Sequence, residues 1–196
     1  MHALIELLWN AGPRIGGVYS LEVSDFDPQK QDLVFPDCPD EGTRLKNKRG
    51  GKRIIILKCE VADAIHYYVI NKRPGVTDEY GREPLFATTE GRALTSTLRR
   101  WVYESTSCLW AKKGPNQASC DGSCDPDSNV CSYSYYPHAI RRGEIVNHLS
   151  NGLRPDRASE RFDVSVKLIE KHYDPRLKRQ RKEDRVEAVR KSWSSF

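Results

Sequence analysis

No apolar run in these 196 residues approaches the roughly 20 residues that cross a bilayer, so a membrane-spanning helix is not expected. No secretory leader is legible either. The start, MHALIELLWNAG, is short, amphipathic and followed by Arg14, the pattern of a first helix. Internal repeats are absent. Cysteine is scarce over most of the chain: of six, Cys38 and Cys59 stand alone and four crowd into 108–131. That distribution excludes the disulfide framework of a small secreted domain. Acidic residues are missing altogether from 44-RLKNKRGGKRIIILK-58, which holds seven basic ones. Together these absences imply a cytoplasmic setting without membrane contact.

What is present is an ordinary soluble composition, 38% hydrophobic and 30% charged, at a length that suits one compact domain. The net charge of +5 is concentrated late in the chain, where Val166–Phe196 holds ten Lys/Arg against five Asp/Glu. Two separate basic segments point to a polyanionic partner. Charge alone is explained equally well by a solvated surface.

Apolar spacing predicts a first helix over 2–10 through Ala3, Leu4, Leu7 and Leu8, and a short second helix within 18-VYSLEVSDFD-27. A strand is expected at 32-DLVF-35. After it comes an expected β-hairpin with arms 43-TRLKN-47 and 52-KRIIILK-58 and a basic tip, 48-KRGG-51. Helices follow at 60–71, at 95–106 with Thr95 or Ser96 as cap, at 137–152, near 155–162 and at 166–173. Residues 107–136 are rich in Gly, Pro, Ser, Asn and Cys and short of aliphatic side chains, an irregular insertion without a core of its own. A basic helix with few apolar positions is expected from Leu177 onward. The fold class is therefore mainly α with a small antiparallel β-sheet (α+β).

The chemistry starts in 137-PHAIRRGEIVNHLSNG-152, where Pro137 opens a helix and Gly152 closes it. His138 and Arg141 lie at i and i+3, on one face. Arg14 follows the helix-breaking Gly12–Pro13, Lys48 sits at the expected hairpin tip, and Tyr173 lies on a late helix. Each alone has a plain structural explanation: a surface arginine, a solvated lysine, a packed tyrosine ring. Together they describe one reaction. Two guanidiniums clamp the non-bridging oxygens of a phosphodiester. A tyrosine hydroxyl attacks phosphorus while an imidazole takes or orients its proton, and a lysine protonates the departing 5′ oxygen. Fixed cations stabilise the developing charge, so the transfer requires no metal.

These residues and their order resemble the catalytic domain of tyrosine recombinases (phage-integrase type), most closely integrases of archaea and haloarchaeal viruses. The segment 3-ALIELLWNAGPRIGGVYSLEVSDFD-27 is similar to the family's first box and carries its first arginine as Arg14. The segment 48-KRGGKRIIIL-57 resembles the family's K-x-x-K-x-R-hydrophobic strand pair, with Lys48 as the catalytic lysine, or Lys46 if the hairpin is longer. The family's H-x-x-R is 138-HAIR-141, and 168-LIEKHYD-174 stands where the family keeps its nucleophile, Tyr173. The resemblance implies catalytic residues Arg14, Lys48, His138, Arg141 and Tyr173. It implies a catalytic domain over 1–176 and a tail, 177–196, that docks on a neighbouring protomer. It also implies cleavage and religation of double-stranded DNA at an attachment site through a 3′-phosphotyrosyl link, by a chromosome-associated homo-oligomer that is tetrameric in the synapse and needs no cofactor for catalysis. Members carry a DNA-clamping domain ahead of the first box, so this chain is expected to correspond to an isolated catalytic domain.

Two positions depart from the family pattern. The His or Trp about nine residues before the nucleophile is Val164, with Asp163 beside it, and the acidic residue three places after the first arginine is Gly17. His172, the nearest imidazole to Tyr173, belongs to another face of its helix. Tyr133, Tyr135 and Tyr136 precede H-x-x-R in an irregular stretch, which sets Tyr173 ahead of them as nucleophile. Cys108, Cys120, Cys124 and Cys131 are spaced C-x11-C-x3-C-x6-C. Four thiolates suit a tetrahedral structural zinc that would hold together an insertion lacking a core; four reduced cysteines in a loop are the plain alternative. Two other readings of the whole chain stay open at this point. One is a non-catalytic DNA-binding or interaction module, the other a type IB topoisomerase-like enzyme.

Overall fold

Helix α1 (His2–Ala11) forms because Leu4, Leu7, Leu8 and Ala11 recur at i, i+3, i+4 and i+7, and all four are buried. Gly12 ends it in the left-handed conformation, φ 51°, its N–H donating to the Leu8 carbonyl at 3.1 Å. Pro13 cannot continue the helix, and α2 (Ile15–Ser20) starts in a new direction two residues on. Sequence spacing placed this second helix within 18–27; it begins earlier and ends at Ser20, where Val23–Asp25 turns under a Glu22–Asp25 capping box.

The computed structural model describes residues 1–107, 134–173 and 178–193. Cys108, Cys120, Cys124 and Cys131 lie outside them, and so does the expected zinc loop. A three-stranded antiparallel sheet has the order β1 (Phe26–Asp27), β2 (Asp32–Phe35), β3 (Arg53–Ile56), with Phe35 opposite Arg53 and Leu33 opposite Ile55. Leu33, Phe35 and Ile55 face the core, while Ile54 and Ile56 face outward.

The pairing corrects the expected hairpin. β3 pairs with 32–35, and 43–47 forms no strand. The reason is local: the Asp37 carboxylate accepts from the Leu45 N–H at 2.8 Å, Gly42 turns at φ 73°, and Leu45 is buried. These contacts commit the backbone of 43–45 to a loop. Lys48–Gly51 is a single 3-10 turn rather than a hairpin tip.

Helices α3 (Cys59–Asn71), α4 (Thr95–Ser105), α5 (Pro137–Ser150), α6 (Pro155–Phe162), α7 (Val166–His172) and α8 (Lys178–Trp193) complete the described chain, with an unforeseen second hairpin of β4 (Ala87–Thr88) and β5 (Gly91–Arg92). Neither Thr95 nor Ser96 caps α4; Leu94 holds that position without a side-chain bond. One apolar cluster joins α1, α2, the sheet, α3 and α4, and a smaller one joins α5, α6 and α7 through Ile145, Leu149, Phe162, Val164 and Ile169. Away from these, Arg82 and Arg92 bridge Glu22 and Asp78, and Arg82 also reaches Glu41. Burial opposes ionisation of Asp78, but hydrogen bonds from Arg92 and Arg82 prevail and hold it well below the usual carboxylate range. Among the described residues no helix is long and apolar enough to cross a membrane.

Gly12 sits where the two clusters meet. A Cβ there would stand 3.0 Å from Phe162 Cε1, in a backbone conformation that already disfavours one. Gly12→Ala is therefore expected to lower the unfolding free energy by about 1–2 kcal/mol, read as a lower urea midpoint with unchanged slope.

Candidate active site

Arg141 lies on the buried face of α5 beside Ile140, Glu144 and Ile145, and is 2% exposed. Its guanidinium donates from Nη1 to the Gly12 carbonyl at 2.5 Å and from Nη2 to the Phe162 carbonyl. Those oxygens close α1 and α6, the negative ends of two helix dipoles. Burial first, then the charges of Arg14 and Arg53, pull its pKa down to about 10. A guanidinium held by carbonyls and crowded by other cations is a receptor for an anion.

Arg14 is the residue before α2, extended at φ −68° and ψ 148°, and makes no cap with its side chain. The guanidinium instead leaves the helix and donates to Asp163 Oδ2 at 2.5 Å. Arg53 comes from β3, its charge 4.1 Å over the Phe35 ring, donating to the carbonyls of Arg161 at 3.0 Å and Gly51 at 2.9 Å. Burial lowers its pKa to about 10 as well. Arg161 in turn donates to the carbonyls of Ile56 and Asn10. Sequence reasoning missed Arg53 and Arg161. The available signal was β-strand alternation, which puts Arg53 on the same face as Ile55 and opposite Phe35.

His138 occupies the first turn of α5, exposed at the rim. Partial desolvation, then Arg141, Arg14, Arg142 and Lys46, push its pKa below the ordinary imidazole value, so the neutral ring is favoured near neutrality. A cleft of about 310 Å³ collects Arg14, Lys46, Arg99, Tyr136, His138 and Arg141, and an adjoining one of about 260 Å³ collects Arg14, Lys46, Arg53 and Asp163. Among the described residues Asp163 is the only carboxylate lining either.

The structure brings Arg14, His138 and Arg141 together, and with them Lys46 rather than Lys48. Lys46 follows the buried Leu45 and lines both clefts; Lys48 is exposed at φ 52° and lines neither. Tyr173 is not among the lining residues. It is half-buried at the end of α7 and packed on the smaller cluster. Ser165 fixes the start of α7, its Oγ accepting from the Leu168 N–H at 3.4 Å. His172 is exposed, and Tyr136, one of the competing tyrosines, does line the larger cleft. Val164 is 7% exposed and belongs to the apolar cluster. Among the described residues no group of three or more His, Cys, Asp or Glu is arranged to hold a metal ion.

The sequence matches no family model and no curated protein. Solved structures do match. XerA recombinase superposes with a TM-score of 0.62 at 20% identity over 95% of this chain and 55% of that one. A Tn1549 transposon integrase in complex with transposon right end DNA gives 0.67 at 17% identity, over 96% of this chain and 58% of the other. The site-specific recombinase XerH bound to its difH substrate gives 0.60 at 15%, over 94% and 45%. The chain thus spans about half the length of the structures it matches. At these identities the likeness is one of fold: this chain has the mainly helical fold, with a small antiparallel sheet, of a tyrosine recombinase catalytic domain.

Proposed function

We propose that the chain is the strand-cleaving part of a site-specific DNA recombinase, acting on double-stranded DNA through a 3′-phosphotyrosyl intermediate. The observation that carries the reading is the convergence of Arg14, Lys46, Arg141 and a neutral-favouring imidazole on one cleft, with an anion-seeking Arg141 at its base. The DNA-bound neighbours of the same fold support the choice of DNA as the phosphodiester.

In this mechanism Arg14 and Arg141 hold the non-bridging oxygens of the scissile phosphate. The Tyr173 oxygen attacks phosphorus and its proton passes to His138. As the P–O5′ bond breaks, Lys46 protonates the leaving oxygen. The new phosphotyrosyl bond keeps the energy of the old one, so the reverse attack by a 5′ hydroxyl religates DNA without a cofactor. Helix α8 carries exposed Val186, Val189 and Trp193 at i, i+3 and i+7, which supports assembly with further copies of the chain, taken here as a tetramer on DNA. Four thiolates suit a tetrahedral structural zinc, which Cys108, Cys120, Cys124 and Cys131 would hold.

On a nicked suicide duplex carrying an attachment site, Tyr173→Phe is expected to abolish the covalent adduct seen on denaturing gels while DNA binding stays within about twofold. An adduct that survives in Tyr173→Phe and vanishes in Tyr136→Phe overturns the nucleophile. Lys46→Ala should slow cleavage by about 10²- to 10⁴-fold, and a 5′-bridging sulfur in place of oxygen should restore it, because a thiolate leaves without a proton. Lys48→Ala showing that loss and rescue instead would move the acid to Lys48. Because the neutral imidazole is the competent form, cleavage is lost as pH falls through a value below the ordinary 6.5. That acid limb should disappear in His138→Gln, measured as single-turnover rate against pH.

A further inference from the structure

Asp163 terminates α6 in the left-handed conformation, φ 50° and ψ 55°, where glycine is the least strained residue. Its side chain is 11% exposed, and neither oxygen serves α6. Oδ2 accepts from Arg14 Nη1 at 2.5 Å, and Oδ1 accepts from Asn47 Nδ2 at 2.7 Å. Asn47 is the immediate neighbour of Lys46. From the other side, Gly51 comes so close that a Cβ there would stand 3.3 Å from Oδ2. One carboxylate therefore joins the residue before α2, the loop between β2 and β3, and the end of α6.

We propose that Asp163 is a positioning residue for strand cleavage: one oxygen orients the Arg14 guanidinium, and the other, through Asn47, holds the loop that presents Lys46. This rests on the recombinase reading above. A long arginine side chain loses most of its freedom when one N–H is fixed, and its remaining N–H groups then share a single plane toward the cleft. A negative charge beside a phosphate site weakens attraction for the phosphate, so a merely electrostatic design would leave it out. Gly17, three residues after Arg14, provides no carboxylate and packs against Phe35, which leaves Asp163 as the anion lining the Arg14 side of the cleft.

The test uses the whole chain and compares parent, Asp163→Gly and Asp163→Asn for thermal midpoint, DNA affinity by fluorescence anisotropy, and single-turnover adduct formation on the nicked duplex. Asp163→Gly relieves the backbone and removes the carboxylate. It is expected to keep or raise the thermal midpoint and to bind DNA as tightly or more tightly, yet to cleave about 30- to 100-fold more slowly. Asp163→Asn keeps the shape and carries the same test if the glycine variant folds poorly, with a smaller loss expected. In an Arg14→Lys background, Asp163→Gly should cost less than about threefold more, because a residue that acts through Arg14 has little left to act on. Unchanged or faster cleavage by Asp163→Gly overturns the positioning role, as does a full repeated loss in the Arg14→Lys background. A parent protein that forms no adduct overturns the recombinase reading itself, and the positioning role with it.

Discussion

The Arg141 guanidinium, buried and bonded to the carbonyls of Gly12 and Phe162, is the contact on which the rest depends. It fixes α5 against the ends of α1 and α6, and so joins the larger apolar cluster to the smaller. Burying a cation is costly unless hydrogen bonds compensate. A carboxylate partner would compensate and also cancel the charge. Two helix-terminal carbonyls compensate while leaving the net positive charge in place. Arg53 and Arg161 repeat the device, each donating to backbone carbonyls. The interaction that closes the fold is thus also the one that gives the cleft its field.

Around this fixed centre the other groups are placed by apolar anchors together with the carboxylates of Asp37 and Asp163. Leu45 is buried in the larger cluster, and the next residue, Lys46, is carried to the cleft at the start of the exposed run 46–50. Ile169 and Val164 seat α7 on the smaller cluster, and Tyr173 follows at its end. The guanidiniums stand on well-buried elements, whereas the lysine rides a loop and the tyrosine a helix terminus.

Sequence patterning made the helices legible wherever an apolar stripe dominated, as in α1 and α3, and it made the H-x-x-R pair legible because i and i+3 share a face. It failed where tertiary contacts overrode local preference. The run 43–47 has no intrinsic objection to being a strand, but the Asp37–Leu45 bond and the burial of Leu45 claim its backbone. The choice between the two lysines hangs on the same segment: a hairpin tip points to Lys48, and a pinned loop lining both clefts points to Lys46. Strand alternation places Arg53 on the core face, but the role of Arg53 and Arg161 is hidden for another reason. Their partners are carbonyl oxygens, which every residue possesses, so no side-chain pattern announces them.

The same limit explains the apparent gap at Val164. Counting along the chain asks which residue type stands at a fixed offset from the nucleophile, and an apolar residue there reads as a missing function. In space, Val164 is a core residue, and its neighbour Asp163 turns toward Arg14 from 149 positions away in sequence. A site built for an anion constrains where charges lie relative to its ligand, not which segment supplies them. A carboxylate lacking at Gly17 and present at Asp163 reaches the same guanidinium from the opposite end of the chain. The turn that makes this reach possible is left-handed, so the contact with Arg14 and the cost of a side chain at φ 50° fall on the same residue.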